Sequence, residues 1–236
     1  MVKQELVQRS PVRVFEKSIH GGLGAGDLGV IASRKGVGKT AVLVQIALDK
    51  LMQGKKIIHV SFTQHTDYVI SWYEDIFSEI AKKKNLENMG EVKDDLVKNR
   101  VLMNFNQDGI TNDQILKSLR AMIVDGSFKA DALIIDGFDF SRSDLERMQA
   151  IKDFAKELSL EVWYSCTVTG EEPLYDKRNI PIVLKAYLDV LDVIIVLEPK
   201  QDFIQFSVSE DEATFNRGSE SGSWIPKRFL LLKNNF

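Results

Sequence analysis

The chain is poor in cysteine and has no long apolar run. Its only cysteine among 236 residues is Cys166, so no disulfide can form within the chain, and a reducing compartment fits this composition. The longest apolar runs, such as residues 193–197, have the length of a strand and are far too short to cross a bilayer. Residues 1–15 lack the apolar centre of a secretory signal. These absences predict a cytoplasmic protein without membrane contact.

An excess of positive charge is also absent. The 31 Lys and Arg residues are outnumbered by 34 Asp and Glu, which gives a formal net charge of -3. Proteins that grip nucleic acid through its phosphates usually carry a surplus of Lys and Arg, so the charge balance does not support nucleic acid as a partner. The composition, 44% hydrophobic and 28% charged, is that of a globular protein. We expect a single domain, residues 1–236, in which residues 1–17 form an N-terminal arm.

Short β-branched runs alternate with longer amphipathic stretches. The predicted strands are Leu28–Ala32, Lys56–Phe62, Val101–Phe105, Ala132–Asp136, Glu161–Cys166 and Asp192–Leu197. The predicted helices are Lys39–Gln53, Asp67–Lys83, Thr111–Asp125 and Asp144–Ser159. This alternation predicts an α/β fold: a mostly parallel, twisted sheet with helices on both faces.

The pattern changes after residue 198. Phe203–Val208 and Arg228–Lys233 are strand-like, and the segment between them contains the Gly/Ser-rich stretch Asn216–Ser223 and no helical pattern. We therefore expect an antiparallel C-terminal hairpin at one edge of the sheet.

A glycine-rich loop lies between the first predicted strand and the first predicted helix. Residues 33–40, SRKGVGKT, match the phosphate-binding pattern G-x-x-x-x-G-K-[ST] except that Ser33 replaces the first glycine. Gly36 and Gly38 permit the backbone angles that turn successive N–H groups toward an anion. Lys39 can reach the β- and γ-phosphates of a nucleotide, and the Thr40 hydroxyl can bind Mg²⁺. Ser33 is small and follows the strand directly, so we expect it to be tolerated.

An acidic residue ends the fourth predicted strand. Asp136 closes the run Ala-Leu-Ile-Ile-Asp, the form of a Walker B segment, whose carboxylate holds Mg²⁺ together with the loop hydroxyl. Such an aspartate is often only a turn or cap residue, but the preceding loop favours the functional reading. We predict ATP and Mg²⁺ as ligands, with Thr40 and Asp136 at the metal. The predicted nucleotide contacts are Ser33, Arg34, Lys35, Gly36, Val37, Gly38, Lys39, Thr40, Ala41 and Asp136.

The stretch GGLGAGDLGVIASRKGVGKT, residues 21–40, resembles the entry segment of RecA-type ATPases of the DnaB helicase and KaiC group. Three later segments also resemble that group: AKELSLEVWYS at 155–165, DVLDVIIVL at 189–197 and FLLLKNN at 229–235. The resemblance covers residues 18–236. It implies a RecA-like core that forms a ring or filament of identical subunits, with ATP at the subunit boundaries.

Three positions depart from the pattern of that group. Thr63 stands where the group has the glutamate that activates the attacking water, and a threonine cannot act as a general base at neutral pH. Cys166 replaces the expected sensor glutamine, and a thiol hydrogen-bonds a phosphate poorly. Asn235 stands at the arginine-finger position, a residue worth a factor of about 10³–10⁵ in rate. The resemblance therefore implies ATP binding with weak or absent hydrolysis.

Other groups could substitute for the missing catalytic residues, and they stay as alternatives. The spare carboxylates nearest to Asp136 and Thr63 are Asp139 and Asp67, and His65 lies two residues beyond Thr63. We interpret Asp139 as a cap of the helix that follows it. Fingers from a neighbouring subunit could come from Arg217, Lys227 or Arg228.

Three functions remain open. The first is an ATP-binding module that acts through nucleotide-dependent assembly or by binding a protein partner. The second is an active ATPase of the same fold, helicase- or recombinase-like, and the third is a P-loop kinase of a small molecule, for which no arginine-rich lid is visible. In a helicase-like relative, residues 169–180 would line a central channel, but that segment has no basic surplus. The run Lys82–Lys84 is interpreted as a solvated helix end.

Overall fold

The computed structural model describes residues 10–19, 21–63, 65–83, 89–106, 108–201, 204–209 and 228–229. Its helices are α1 (Pro11–Ser18), α2 (Lys39–Met52), α3 (Thr66–Lys83), α4 (Met89–Lys98), α5 (Asn112–Arg120) and α6 (Leu145–Glu157). Its strands are β1 (Leu28–Ser33), β2 (Ile57–Ser61), β3 (Arg100–Asn104), β4 (Ala132–Asp136), β5 (Glu161–Thr167), β6 (Val193–Pro199), β7 (Ile204–Ser209) and β8 (Arg228–Phe229). Within these ranges, no helix combines the length and hydropathy needed to span a bilayer.

The described strands form one sheet in the order β3-β2-β4-β5-β1-β6-β7-β8. Every neighbouring pair from β3 to β6 is parallel, whereas β7 runs antiparallel to β6, and β8 antiparallel to β7. The predicted α/β fold and the antiparallel edge are therefore confirmed. Of the predicted strand Arg228–Lys233 only the first two residues are described. The loop Asn216–Ser223 and Asn235 lie outside the described residues.

Helices cover both faces of the sheet, as predicted. Alternate residues of the central strands point to opposite sides, so Ile31, Ile134 and Trp163 pack against the side of α2, α3 and α4. Val30 and Leu133 pack on the other side, against α5 and α6. Because β1 and β4 are buried on both faces, their sequences are nearly continuous apolar runs rather than alternating ones, and the equally buried β2 differs in carrying His59.

Helix boundaries follow local capping. The Thr111 hydroxyl accepts the Gln114 backbone N–H at the start of α5, and Gly54 takes a left-handed φ of 82° just beyond α2. The predicted helix Thr111–Asp125 is α-helical only to Arg120. A π-helical turn follows, in which the Gly126 N–H donates to the Ala121 carbonyl at 2.7 Å. Two short turns, Phe140–Arg142 and Ile182–Tyr187, are 3₁₀-helical.

The helices α1 and α4 were not predicted. Within the predicted N-terminal arm, α1 is fixed to α2 by an ion pair between Arg13 and the fully buried Asp49. Glu16 lies 3.5 Å from Lys50, and Lys50 lies 2.7 Å from Glu161 of β5. Charges on three elements therefore neutralise one another at the amino-terminal edge of the sheet. Breaking such a pair by removing one partner leaves an uncompensated buried charge.

A buried histidine lies in the middle of β2. The His59 side chain is 1% exposed, and its Nδ1 lies 3.1 Å from the Tyr73 hydroxyl of α3. Arg100 stacks on the Tyr73 ring at 4.1 Å. Burial lowers the pKa of His59 to about 4, the Asp136 charge opposes this shift, and Arg100 adds to it. His59 is therefore neutral in the folded protein at neutral pH.

This burial predicts a pH-dependent loss of stability. The unfolded-state pKa of a histidine is about 6.5, so as the pH falls below that value the unfolded chain takes up a proton that the folded protein binds only near pH 4. The free energy of unfolding should fall toward a slope of about 1.4 kcal/mol per pH unit in this window. We expect His59→Gln to remove this component of the slope, measured by urea denaturation between pH 7 and 5. His65→Gln changes an exposed histidine and should keep it; equal slopes in both variants would contradict the assignment.

Candidate functional site

The carboxyl ends of β1, β5 and β4 meet at one edge of the sheet. β5 pairs with β1 on one side and with β4 on the other, all in parallel. In open α/β sheets, ligands bind outside these strand ends. The Ser33–Thr40 loop leaves β1 at this edge and leads into α2, and Asp136 ends β4 at the same edge. Parallel pairing therefore brings the two predicted halves of the site together.

Two glycines shape the Ser33–Thr40 loop. Gly36 has a φ of 83° and Gly38 a φ of 107°, values that strain any other residue. Gly38 directly precedes α2 and provides no side-chain cap for its first turn. The first N–H groups of a helix have no partner within the helix, and together with the helix dipole they favour an anion.

Lys39 is the buried cation of this loop. Its ammonium donates to three neutral oxygens: the Ser33 carbonyl at 3.3 Å, the Ser33 hydroxyl at 3.3 Å and the Arg34 carbonyl at 3.0 Å. Burial lowers the pKa of Lys39, while the nearby Cys166 and Asp136 act in the opposite direction.

Lys39 differs from the other buried lysines of the described chain. Lys50 lies 2.7 Å from Glu161, and Lys152 pairs with Asp192 and lies 3.5 Å from Asp27. Within the described ranges, no carboxylate lies at ion-pair distance from Lys39. A buried charge is costly unless it is paired, and in the described chain the Lys39 ammonium is compensated by hydrogen bonds to neutral oxygens rather than by an ion pair.

Ser33 has a positive role that sequence reasoning missed. Its side chain is completely buried, and its hydroxyl accepts from Lys39 while donating to the Arg34 carbonyl at 3.0 Å. Ser33, which replaces the first glycine of the phosphate-binding pattern, therefore accepts hydrogen bonds from the Lys39 ammonium.

Asp136 is held by two hydroxyl groups. Thr40 donates to its Oδ2 at 2.8 Å, and Ser165 of β5 donates to its Oδ1 at 2.6 Å. The Ser165 oxygen also accepts the Gly137 N–H at 2.8 Å. Thr40 and Asp136, the predicted magnesium ligands, are thus in direct contact. Sequence reasoning overlooked Ser165, although a hydroxyl in an otherwise apolar strand was a signal.

The oxygens present fit a shared magnesium ion better than a metal site made by protein alone. The described residues contain no group of three His, Cys, Asp or Glu side chains that could hold a metal. Mg²⁺ usually binds through one or two protein oxygens, with phosphate oxygens and waters completing its octahedron. Thr40 and Asp136 would be those protein ligands, which requires a phosphate compound in the same site.

Thr63, Cys166 and Asn235, which replace the expected catalytic residues, differ in their surroundings. Thr63 is exposed just beyond β2, and its side chain lies so close to Gly137 that a Cβ there would be 2.5 Å from the Thr63 hydroxyl. Cys166 is buried near Lys39, and burial raises its pKa to about 12, so it is a neutral thiol. Asn235 falls outside the described residues.

The alternative catalytic groups lie in different surroundings. Asp139 accepts from the Ser141 backbone at 3.0 Å and from its hydroxyl at 2.6 Å, so it caps the 3₁₀ turn Phe140–Arg142, whereas the predicted helix that follows, α6, is capped by Asp144. His65 and Asp67 are exposed at the start of α3. Arg228 begins β8, whereas Arg217 and Lys227 lie outside the described chain.

The remaining predicted contact residues separate into two groups. Arg34, Lys35 and Gly36 are exposed, so their side chains or backbone can meet a ligand. Val37 and Ala41 pack against the apolar core beneath α2 and act on a ligand only through their backbone. A pocket of about 460 Å³ lies elsewhere, beyond β3 and along α5, and includes none of the predicted contact residues.

No protein-family model matches the chain, and no curated protein matches it in sequence.

Proposed function

We propose that the protein is a RecA/KaiC-like module that binds ATP with Mg²⁺ and hydrolyses it weakly or not at all. The observation that carries this proposal is Lys39: a buried ammonium, surrounded by neutral oxygens, at the start of a helix and beside the carboxylate end of a strand. A nucleoside triphosphate supplies the missing negative charge. The same ligand brings the phosphate oxygens that a magnesium ion at Thr40 and Asp136 requires.

Each group of the site has a distinct part in this function. The backbone N–H groups of residues 36–40 would surround the phosphates, and Lys39 would pair with the outer ones. Thr40 would exchange its hydrogen bond with Asp136 for a bond to the metal. Ser165 would keep the Asp136 carboxylate oriented, because its hydroxyl holds one carboxylate oxygen and the Gly137 backbone together.

Weak hydrolysis is expected from the side chains around the proposed phosphate and magnesium site. Attack of water on a γ-phosphate needs a group that orients or deprotonates the water and a cation that stabilises the developing charge. The position beyond β2 carries the hydroxyl of Thr63, and the position beside Lys39 carries the neutral thiol of Cys166. Neither group can do this work at neutral pH.

A module that binds ATP and does not turn it over acts through the bound state. Its resemblance to ring- and filament-forming ATPases supports nucleotide-dependent assembly of identical subunits, or the binding of a protein partner. Nucleic acid has less support, because the net charge is -3 and residues 169–180 contain three acidic and two basic side chains.

The first test removes the buried ammonium. Lys39→Ala should weaken Mg-ATP binding by about 10- to 100-fold or more, because hydrogen bonds to charged groups are worth about 1.5–3 kcal/mol. Titration calorimetry with purified protein measures this. Lys129→Ala removes a positive charge at the opposite edge of the sheet and should bind as the wild type does. Equal affinity in Lys39→Ala and wild type would reject the site.

The second test addresses the magnesium ligands. Asp136→Asn keeps the size of the side chain but removes its charge, so Mg²⁺ should no longer increase ATP affinity, and the loss should be about tenfold. Affinities measured in Mg²⁺ and in EDTA separate metal from phosphate binding. Asp131→Asn, just before the amino end of the same strand, should preserve the magnesium effect. If Mg²⁺ increased the ATP affinity of Asp136→Asn as much as that of the wild type, Mg²⁺ would bind elsewhere.

The third test addresses hydrolysis. Purified wild-type protein, saturated with Mg-ATP, should release phosphate at a rate no higher than that of Lys39→Ala, because the water-activating group is absent at Thr63. A phosphate-release assay over several protein concentrations measures this and includes any effect of assembly. Turnover that rises with protein concentration and disappears in Lys39→Ala would instead establish an active ATPase.

A further inference from the structure

An ion pair joins the Ser33–Thr40 loop to the segment that follows β5. The Arg34 guanidinium pairs with the Glu172 carboxylate, although 138 residues separate them in sequence. Arg34 directly follows Ser33 and its carbonyl accepts from Lys39, so this arginine belongs to the proposed phosphate site. A side chain of the loop is thus held by an acidic residue from another segment.

Glu172 lies in a short exposed stretch between two buried anchors. Residues 169–173 are exposed, whereas Val168 and Leu174 on either side are buried. The other Glu172 oxygen accepts the Leu174 N–H at 3.2 Å. Beyond Leu174 the chain is fixed again, because Asp176 accepts the N–H groups of Arg178 and Ile180. A change in the contact between Glu172 and Arg34 would therefore act first on the exposed residues 169–173, which lie between these fixed points.

We propose that Glu172 competes with the phosphates of ATP for Arg34, and that residues 169–173 thereby report whether the site is occupied. This inference rests on the proposed ATP binding. In the unliganded protein Glu172 neutralises Arg34; in the complex Arg34 turns to the phosphates and Glu172 is released. The segment then changes its contacts at the carboxyl edge of the sheet, where a second subunit or partner can meet it.

The ion pair between Arg34 and Glu172 is weak enough for the phosphates to displace Glu172. The side chains of Arg34 and Glu172 are 63% and 67% exposed, and ion pairs so open to solvent shift an equilibrium by less than about 5-fold. A triphosphate carries several negative charges and accepts hydrogen bonds from a guanidinium in its fixed fork geometry, so it outcompetes a single exposed carboxylate. Glu172 therefore tunes affinity without blocking the site.

A double-mutant cycle tests the competition. Mg-ATP affinity is measured by calorimetry at 0.15 M salt, where charges separated by more than about 8 Å are largely screened. Glu172→Gln should tighten binding by about 2- to 5-fold, and Arg34→Gln should weaken it by a similar factor. In the Arg34→Gln background, Glu172→Gln should have no further effect, because the residue it competes for is gone.

Glu171→Gln is the matched control. It removes the same charge from the adjacent exposed residue, which is not the residue paired with Arg34, so its effect should be less than half that of Glu172→Gln. The competition would be overturned if Glu171→Gln and Glu172→Gln changed ATP affinity equally. It would also be overturned if Glu172→Gln still changed ATP affinity in the Arg34→Gln background. Either result would show that the acidic side chains merely repel the nucleotide.

Hydrogen exchange provides a readout besides affinity. The backbone N–H groups of residues 169–172 and of Leu174, which donates to Glu172, should exchange faster when wild-type protein is saturated with Mg-ATP, whereas Glu172→Gln should show the faster exchange already without nucleotide. An unchanged rate in a wild-type protein that demonstrably binds ATP would overturn the inference alone. Absence of ATP binding by the wild type would instead overturn the proposed function.

Discussion

The hydrogen bonds to Asp136 are the interaction on which the candidate site depends. Thr40 at the start of α2 and Ser165 in β5 each donate to one oxygen of this carboxylate at the end of β4. Three elements distant in sequence are thereby fixed relative to one another at the edge of the sheet. This contact helps to fix the Ser33–Thr40 loop, because Thr40 is the last residue of the loop and its hydroxyl reaches across to the carboxylate that ends β4.

Much of this arrangement was predictable because its signals are local. Buried parallel strands are continuous apolar runs, and the glycine-lysine-threonine sequence lies between a strand and a helix, so fold class and loop could be predicted from residues 28–53 and the later runs. Asp136 could be assigned because it ends a strand. Other features depend on pairing across the sheet: Ser165 matters only because β5 lies next to β4, an order that periodicity does not encode.

The same reasoning explains the errors at the helices. The helix α1 has only eight residues, too few for a clear helical period, and it is fixed by Arg13 on a buried aspartate of α2, a contact 36 residues away in the sequence. The predicted helix from Thr111 to Asp125 has a continuous apolar period, but its last five residues form a π-helical turn, closed by the Gly126 N–H on the Ala121 carbonyl, and the apolar period does not distinguish the two kinds of helix. Arg34 and Glu172 belong to the same class: each is an ordinary exposed charge until the fold makes them neighbours.

Buried lysines have different partners at the two ends of the strands. At the amino-terminal edge, Lys50 and Lys152 are each matched by carboxylates of the chain, so that edge needs no external partner. At the carboxyl edge, Lys39 is buried to a similar degree but is given only neutral oxygens. In the described chain Lys50 and Lys152 are thus paired internally, whereas Lys39 keeps an unfavourable desolvation, which under the proposed function the phosphates of the nucleotide would relieve. The stability of the Ser33–Thr40 loop should therefore rise when an anion binds, which links occupancy of the site to the order of the segments around it.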